Sequence, residues 1–319
     1  MINYSIIIPH YNIPDLLLRC IRSIPQRDDV EVIVVDDNSP NGESYLQRYP
    51  DLRRRGLTYI HLDKNIGGGG ARNVGLKYAK GKWLIFADAD DFFNYCFRDV
   101  LDEYVDNPCD VVYFNANSID TELYINTGRS VPHNKRILSY IKNPNTDADY
   151  ELRYSFGEPW CRFVKSELVT KHLIGFEETP IHNDTQFSYL VGFYASEICA
   201  DNRAIYCLTD RMGSVSRILD PEKYLTRLSV FAKKYAFLHS NNIDFGDWRF
   251  IESSIEYYQE NNLDDYLERA KQILDTNEID FQGIVNSIKK KKQRNKHRNI
   301  KLKIIDRVNI ELKKILCVE

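Results

Sequence analysis

Five short runs of mainly apolar, often β-branched residues recur through the first 115 residues, with helical patterns between them. Most of these runs lack the polar and apolar alternation that a half-exposed strand shows. Strands of this kind are buried on both faces, as happens when helices cover both sides of a parallel sheet. The sequence therefore predicts an α/β fold with strands at residues 5–8, 31–35, 57–62, 83–86 and 111–114.

Polar, acidic or glycine-rich residues follow these runs at the points where the strands end. They occupy residues 10–12, 36–37, 65–70 and 88–91. In open parallel sheets, ligands bind at the carboxyl ends of the strands. We therefore expect four separate loops to converge on one rim of the sheet and to form a ligand site there.

The segment Asp88-Ala89-Asp90-Asp91 places three carboxylates just past a buried strand. Such groups are costly to desolvate unless a cation is bound. Oxygen ligands suit Mg²⁺ or Mn²⁺, which take one or two carboxylates and complete their shell with diphosphate oxygens and water. A cap for the following helix would explain one aspartate but not three. Both interpretations stay open on this segment alone.

A glycine run, Gly67 to Gly70, precedes a helix predicted over residues 71–80. Glycines let backbone approach a ligand closely, and a helix N-terminus is a ready anion site. The run follows the third strand and does not fit Gly-x-Gly-x-x-Gly, which argues against a dinucleotide fold, and no Gly-Lys-Ser/Thr follows, which excludes a P-loop. The segment Asp36 to Ser39 could hydrogen-bond a ribose or a base, and it equally fits an Asx-type turn.

Four motifs then occur in a fixed order: strand-Pro-x-Tyr-Asn, Val-Asp-Asp-x-Ser, Asn-x-Gly-x-x-x-Ala-Arg-Asn-x-Gly-Leu and Asp-x-Asp-Asp. Each is common alone, but the ordered set resembles the signature of family-2 glycosyltransferases with the GT-A fold, as found in bacterial surface-polysaccharide synthesis. The resemblance is good from residue 2 to about 115, patchy to about 215 and absent beyond. The motifs lie at residues 8–12, 35–39, 65–76 and 88–91.

The resemblance implies a site for a nucleoside-diphosphate sugar, with UDP as the expected nucleotide. Tyr11 would lie against the uracil ring and Asp37 would hold the nucleoside. Asp88 would meet the ribose and would share, with Asp90, the Mn²⁺ or Mg²⁺ ion that bridges the diphosphate. The nucleotide-binding residues implied in this way are Pro9, Tyr11, Asn12, Asp37, Asn65, Arg72 and Asp88.

On the acceptor side, the resemblance matches Trp160 and Arg162 to the family's Trp-x-Lys/Arg segment. Asp184 matches the aspartate that serves as general base in inverting members, and Asp91 is implied as a second catalytic residue. Asn183 stands where the family usually has Glu. The alternative role for Asp184 is the N-cap of the following helix, a position that Asp favours.

These roles predict an inverting glycosyltransferase that moves a sugar to a hydroxyl of a glycan or lipid-linked acceptor. Asp184 would deprotonate that hydroxyl as it attacks the anomeric carbon, so activity should fall in acid. A nucleotidylyltransferase is an alternative, although the glycine-rich basic loop expected after its first strand is missing at residues 8–12. A catalytically inactive sugar-nucleotide-binding or scaffold protein is the other alternative.

The sequence pattern changes near residue 216, which predicts a catalytic domain over 1–215 and a helical extension over 216–319. Nine Lys or Arg and no acid lie between Lys289 and Lys303, followed by apolar residues at helical spacing. This basic tail is typical of an amphipathic helix on anionic lipid. It equally suits a charged helix packed on the catalytic domain or on a second copy in a homodimer. The net charge of −3 argues against a nucleic-acid partner.

The seven cysteines form no Cys-x-x-Cys pair, and most have apolar or helical neighbours. We therefore expect reduced, buried thiols and neither a disulfide framework nor a zinc site. The N-terminus lacks the basic start of a secretory signal, and no apolar run reaches membrane-spanning length. These observations predict a cytoplasmic protein, which the basic tail would hold at the inner face of the membrane.

Overall fold

The structure is a computed structural model that describes residues 1–210, 220–246 and 248–294. The chain divides into two compact units, Met1–Leu219 and Asp220–Glu319. The apolar face predicted for the end of the basic tail, from Ile304 to Ile315, lies outside the described residues.

The strands of the first unit are β1 (Tyr4–His10), β2 (Val30–Asp36), β3 (Leu57–His61), β4 (Trp83–Phe86), β5 (Phe92–Phe93), β6 (Val111–Asp120), β7 (Arg162–Lys165) and β8 (Ile198–Asp210). They form one sheet in the order β3-β2-β1-β4-β7-β6-β8-β5. The half containing β3, β2, β1 and β4 is parallel, as predicted. In the other half β7 is antiparallel to both of its neighbours, so the whole sheet is mixed.

The helices of the first unit pack on or beside this sheet. They are α1 (Pro14–Ser23), α2 (Tyr45–Arg48), α3 (Gly67–Tyr78), α4 (Phe97–Glu103), α5 (Val131–Lys142), α6 (Thr146–Tyr154), α7 (Ser166–Lys171) and α8 (Thr185–Tyr194), with 3₁₀ turns at Gly42–Ser44 and Pro50–Arg53. Helix α3 lies so close to β1 that a Cβ on Gly75 would be 2.4 Å from Cγ2 of Ile7. This contact fixes the N-terminal end of α3 beside the rim.

Residues 116–159, where the sequence suggests mostly loop, are more ordered than predicted. Strand β6 continues to Asp120, and α5 and α6 follow it. The polar residues that obscure the pattern are satisfied inside the fold. The Asn134 side chain on α5, for example, bonds both the N–H and the C=O of Ala116 at 2.9 and 2.8 Å. The register of β6 also shifts on either side of Asn115.

One pair of cysteines departs from the expectation of reduced thiols. Cys109 and Cys199 are joined in a disulfide, because β6 and β8 are neighbouring strands and bring the two residues together. Among the other described cysteines the thiols are free, and three of these four are buried: Cys20, Cys161 and Cys207, with Cys96 partly buried. Cys317 lies outside the described residues.

The described part of the second unit consists of helices joined by short turns. It contains α9 (Pro221–Ser240), α10 (Arg249–Glu260), α11 (Asp264–Thr276) and a further helical segment at residues 281–294. Its core includes Ile284, Val285 and Ile288 from that last segment. None of the helices across the described ranges combines the length and apolar character that crossing a membrane requires.

The first residues of the basic tail fall in the helical segment 281–294 and make ion pairs within the second unit. Lys291 pairs with Glu252 on α10. Lys292 lies 2.8 Å from Glu260 and 3.8 Å from Glu256, both also on α10. This part of the tail therefore packs against the protein itself.

Candidate active site

The loop after β1 contributes the first predicted residues to the rim. Tyr11 is 51% exposed, and Pro9 beside it is partly buried. Asn12 adopts a left-handed conformation with φ of 52°, which Asn tolerates better than most residues. Its backbone N–H donates to Oγ of Ser39 at 2.7 Å and so joins this loop to the one after β2.

The two aspartates after β2 have different roles. Asp36 is buried and accepts the N–H of Ser39 at 3.0 Å, which is the predicted Asx-type turn. The Asp37 carboxylate accepts the backbone N–H groups of Ile66 at 2.7 Å and Gly67 at 2.9 Å. It therefore stabilises the N-terminus of α3.

Asn65 closes the same corner of the rim. Its side chain donates to the backbone carbonyl of Asp37 at 3.0 Å. The loops after β2 and β3 are thus joined at two predicted nucleotide-binding residues.

The glycine run has a different partner from the one predicted. Gly67 to Gly70 form the first turn of α3, which begins earlier than the sequence suggests. A Cβ on Gly69 would lie 2.0 Å from the carbonyl oxygen of Glu177 and 2.9 Å from Cβ of Asn183. The close backbone approach that the glycines allow is therefore to the segment before α8.

Arg72, the implied nucleoside-binding residue, contacts two other side chains of the site. Its Nη2 donates to Oδ1 of Asp88 at 2.6 Å, and its Nη1 donates to Oδ1 of Asn183 at 3.1 Å. The residue is only 7% exposed, because its guanidinium lies 5.5 Å from the ring of Phe176. Arg72 thus joins the end of β4 to the segment that precedes Asp184.

The aspartates after Asp88 divide between the rim and the interior. Asp90 is partly buried, and its backbone carbonyl accepts the side chain of Thr209 at 2.5 Å. Asp91 is 3% exposed, and its carboxylate accepts the backbone N–H of Thr209 at 2.7 Å. Burial raises the pKa of Asp91 well above its usual range, and the charges of Asp88 and Asp90 add to the shift. Asp91, the implied second catalytic residue, therefore holds β8 in this structure.

The predicted acceptor residues lie deeper than the sequence suggests. Trp160 is 5% exposed and stacks on Tyr206 with ring centroids 6.2 Å apart. Arg162 is fully buried and donates to the carbonyl of Glu158 and the hydroxyl of Ser188. The guanidinium fixes the loop before β7 to α8, and contact between Arg162 and an acceptor stays a prediction.

Asp184 occupies the N-cap position of α8, but its side chain makes no capping hydrogen bond. The cap interpretation therefore does not account for its carboxylate. Burial raises the pKa of Asp184 to about 7, while the positive charge of Arg72 lowers it and the charge of Glu158 raises it. A carboxyl group with a pKa near neutrality is suited to accept a proton in turnover.

Sequence reasoning missed two residues of this site, Glu158 and Tyr206, and noted Asn183 only as a departure from the family pattern. Asn183 accepts a hydrogen bond from Arg72, and the charge of Glu158 raises the pKa of Asp184. The Tyr206 hydroxyl accepts the backbone N–H of Asp88 at 2.8 Å. No local motif identifies Tyr206, because it lies 118 residues from its partner. Across residues 1–210, 220–246 and 248–294, no cluster of three or more His, Cys, Asp or Glu side chains could hold a metal ion.

The chain was compared with known families and proteins. Residues 5–172 match the model described as glycosyl transferase family 2. Glycosyltransferase GlyG of Streptococcus pneumoniae is 25% identical over 279 residues, which cover 82% of this chain and 92% of GlyG. The poly(ribitol-phosphate) beta-N-acetylglucosaminyltransferase TarS of Staphylococcus aureus is 30% identical over 245 residues, covering 73% of this chain and 40% of TarS.

Two solved structures resemble the fold. TarS residues 1–349 in complex with UDP-GlcNAc align with a TM-score of 0.59 and 24% identity, covering 80% of this chain and 71% of that one. The mannosyltransferase PcManGT of Pyrobaculum calidifontis, in complex with GDP-Man and Mn²⁺, aligns with a TM-score of 0.50 and 16% identity, covering 86% and 74%. These likenesses confirm the predicted fold.

Proposed function

This chain belongs to glycosyl transferase family 2 and has the GT-A fold, and from that premise we propose that it is an inverting, metal-dependent enzyme with a UDP-sugar donor. The acceptor would be a hydroxyl of a glycan or lipid-linked glycan in cell-surface polysaccharide synthesis. The single observation that carries this proposal is the side chain of Arg72, which joins donor-side Asp88 to the segment that presents Asp184. A donor-facing carboxylate and a proton acceptor thus lie in one connected site.

The donor would bind across the loops after β1, β2 and β4. Tyr11 is exposed enough to stack on the uracil ring. The loop around Asp37 and Asn65 would hold the nucleoside, and Asp88 would accept a ribose hydroxyl. Pro9 and Asn12 would shape the floor of this pocket.

The residues present fit a divalent cation. Asp88 and Asp90 offer oxygen ligands, which Mg²⁺ and Mn²⁺ prefer, and these ions commonly take one or two carboxylates together with substrate phosphates. The likeness to a structure that contains GDP-Man and Mn²⁺ supports the same assignment. When bound, the ion would neutralise charge on the departing nucleoside diphosphate.

Asp184 would act as the general base. Its carboxylate is free of a capping bond, and a pKa of about 7 leaves a useful fraction ionised at neutral pH while keeping it basic enough to take a proton. The acceptor hydroxyl would lose its proton to Asp184 and attack the anomeric carbon from the face opposite the nucleotide, which inverts the configuration. Trp160 would border the acceptor through its small exposed edge, and Arg162 would support it from within the core.

The UDP donor and the cell-surface acceptor rest on relatives. TarS is described as acting on poly(ribitol-phosphate), and its structure holds UDP-GlcNAc. Because this chain covers only 40% of TarS but 92% of GlyG, the substrates of either whole protein are proposals for this one.

The direct test is a transfer and hydrolysis assay with a panel of UDP-sugars, in Mn²⁺ and in EDTA. We expect Mn²⁺-stimulated release of UDP from at least one sugar. UDP binding without any turnover would favour the inactive sugar-nucleotide-binding alternative, and release of pyrophosphate from a nucleoside triphosphate would favour nucleotidyl transfer.

We also propose that the basic tail attaches the enzyme to anionic lipid at the cytoplasmic face of the membrane. Lys291 and Lys292 pair with glutamates of α10, so the proposal rests on the other basic residues of the tail. The truncation that tests it should end at residue 294, because a chain ending near 280 would lose Ile284, Val285 and Ile288 from the core. We expect this truncation to lose salt-sensitive binding to anionic vesicles and to keep donor hydrolysis. If full-length protein ignores such vesicles at low salt, packing in a homodimer becomes the better explanation.

A further inference from the structure

The N-terminal half of α3 contacts the segment 176–183 through three residues, Gly69, Arg72 and Asn73. Asn73 accepts the N–H of Phe176 at 2.8 Å and donates to its carbonyl at 2.9 Å. Gly69 lies against the Glu177 carbonyl with no room for a side chain. Arg72 adds a hydrogen bond to Asn183. The segment that leads into Asp184 is therefore held by α3 and not by α8 alone.

Arg72 makes a second contact that Gly69 and Asn73 lack. The same guanidinium that donates to Asn183 donates at 2.6 Å to Asp88, the carboxylate at the end of β4. Its two terminal nitrogens thus donate to these two residues, while its Nε is buried and has no hydrogen-bond partner in the part of the chain that the structure describes. Planar, two-armed donation of this kind is specific to arginine, because a lysine ammonium cannot reproduce its geometry.

We propose that Arg72 is a positioning residue that aligns Asp184 with the donor: one arm holds donor-side Asp88 and the other holds Asn183, next to the base. This inference rests on the proposed function for the role of Asp184 as base. It replaces nucleoside binding as the role of Arg72. Asn183 takes part because its amide oxygen accepts a hydrogen bond from Arg72. This oxygen is neutral, so it does not cancel the positive charge that Arg72 exerts on its other neighbours.

The charges around Asp184 give the proposal a readout that packing alone would not move. The groups that act on this carboxyl are Arg72 from α3, Asp88 from the end of β4, Glu158 from the loop before β7 and Arg162 from β7. Of these four charges, the two of the arginines favour the ionised form, and a backbone hydrogen bond favours it as well. Removing the charge of Arg72 should therefore raise the pKa of Asp184, and the lower-pH limb of kcat should move to higher pH.

The test compares Arg72→Met, Arg72→Lys and Asn183→Ala with the wild-type chain. Arg22→Met is the matched control. Arg22 lies on α1, outside the site, and forms an exposed ion pair with Asp51. Measurements are kcat and KM against pH, UDP affinity by calorimetry, and the pKa of Asp184 by NMR of the labelled carboxyl carbon.

For Arg72→Met we expect kcat to fall about 10²-fold, the usual effect of misplacing a reacting group by about an ångström. The pKa of Asp184 should rise by about one unit, the low end of what a close opposite charge contributes. UDP affinity should fall much less than kcat, because Asp88 loses one partner but keeps its place at the end of β4. Arg72→Lys should keep the pKa of Asp184 because it keeps the charge, yet lose most of kcat. Asn183→Ala should lower kcat with unchanged UDP affinity, and Arg22→Met should change none of these.

Loss of UDP affinity in Arg72→Met with an unmoved Asp184 pKa would show that Arg72 binds the nucleoside, and would overturn the inference. Wild-type kcat in Asn183→Ala would overturn it as well, and this variant decides the matter if Arg72→Met does not fold. If the wild-type chain transfers no sugar, the proposed function fails, and the NMR titration still shows whether Arg72 governs Asp184.

Discussion

The two sides of the rim hold their carboxylates in different ways. On the donor side, Asp37 accepts two backbone N–H groups and Asp88 pairs with Arg72, so both are fixed by strong partners. On the acceptor side, Asp184 stands at the start of α8 without a capping bond, and burial raises its pKa to about 7. Carboxylates with strong hydrogen-bond and ionic partners suit binding, whereas one whose pKa is raised by burial suits proton transfer.

This difference separates two kinds of residue that look alike in the sequence. Asp37, Asp88 and Asp184 each follow or precede a regular element and each could be a cap or a turn residue. Their chemistry differs because their partners differ. Changes on one side should therefore affect binding, and changes on the other should affect turnover.

The strongest test of that division is Asp184→Asn. An amide cannot take the acceptor proton, so kcat should fall by about 10²- to 10⁴-fold, the range that a positioned base contributes. Calorimetry should show unchanged UDP affinity. Wild-type turnover would mean that Asp184 only begins the helix.

On the donor side, Asp90→Ala should give the opposite result. It should lower UDP affinity in Mn²⁺ by at least about tenfold, a contribution that even outer partners of metal sites make. Affinity in EDTA should not change, and thermal unfolding should match the wild type. If Mn²⁺ still enhances UDP binding in Asp90→Ala, Asp90 is not a metal ligand.

The pH dependence of kcat should follow the acceptor side. Because the raised pKa of Asp184 is about 7, the base is protonated below that pH and ionised above it. Turnover should fall about tenfold per pH unit below the midpoint, as expected for a single essential base. UDP affinity should be much flatter over the same range. If the midpoint of the kcat profile lies near the ordinary pKa of Asp, or if Asp184→Asn keeps the same midpoint, the fall of kcat in acid belongs to another group.

The smallest effect is expected in Gly69→Ala, at the contact between α3 and the segment before α8, here called the seam. A methyl group there would lie 2.0 Å from a backbone carbonyl, so α3 and the segment before α8 must separate. Overpacking of this kind costs about 1–3 kcal/mol, visible as a lower calorimetric Tm for the first unit. Gly157→Ala is the control, since its nearest atom would be 3.7 Å away, at Oγ1 of Thr185. Equal Tm values for the two variants would show that the seam is not tightly packed.

Much of the donor side could be predicted from the sequence because its signals are local. The strand runs, the ordered motifs and the residues at each strand end specify a parallel half-sheet and its rim, and β1 to β4 lie where those patterns place them. The acceptor side was harder, since polar residues such as Asn115 and Asn134 interrupt the apolar pattern of β6 and α5 although their side chains bond inside the fold.

By itself, then, the sequence determined the family, the α/β fold and the set of side chains that reach the rim, because residue type and spacing are written along the chain. Only the tertiary structure decided what each of those side chains touches. Arg72 meets Asn183 across 111 residues and Asp91 meets Thr209 across 118. Arg162 is buried because α8 and the loop before β7 close over it. Burial and charge pairing arise from such distant contacts, so the pKa of Asp184 and the partners of Arg72 have no local signature to read.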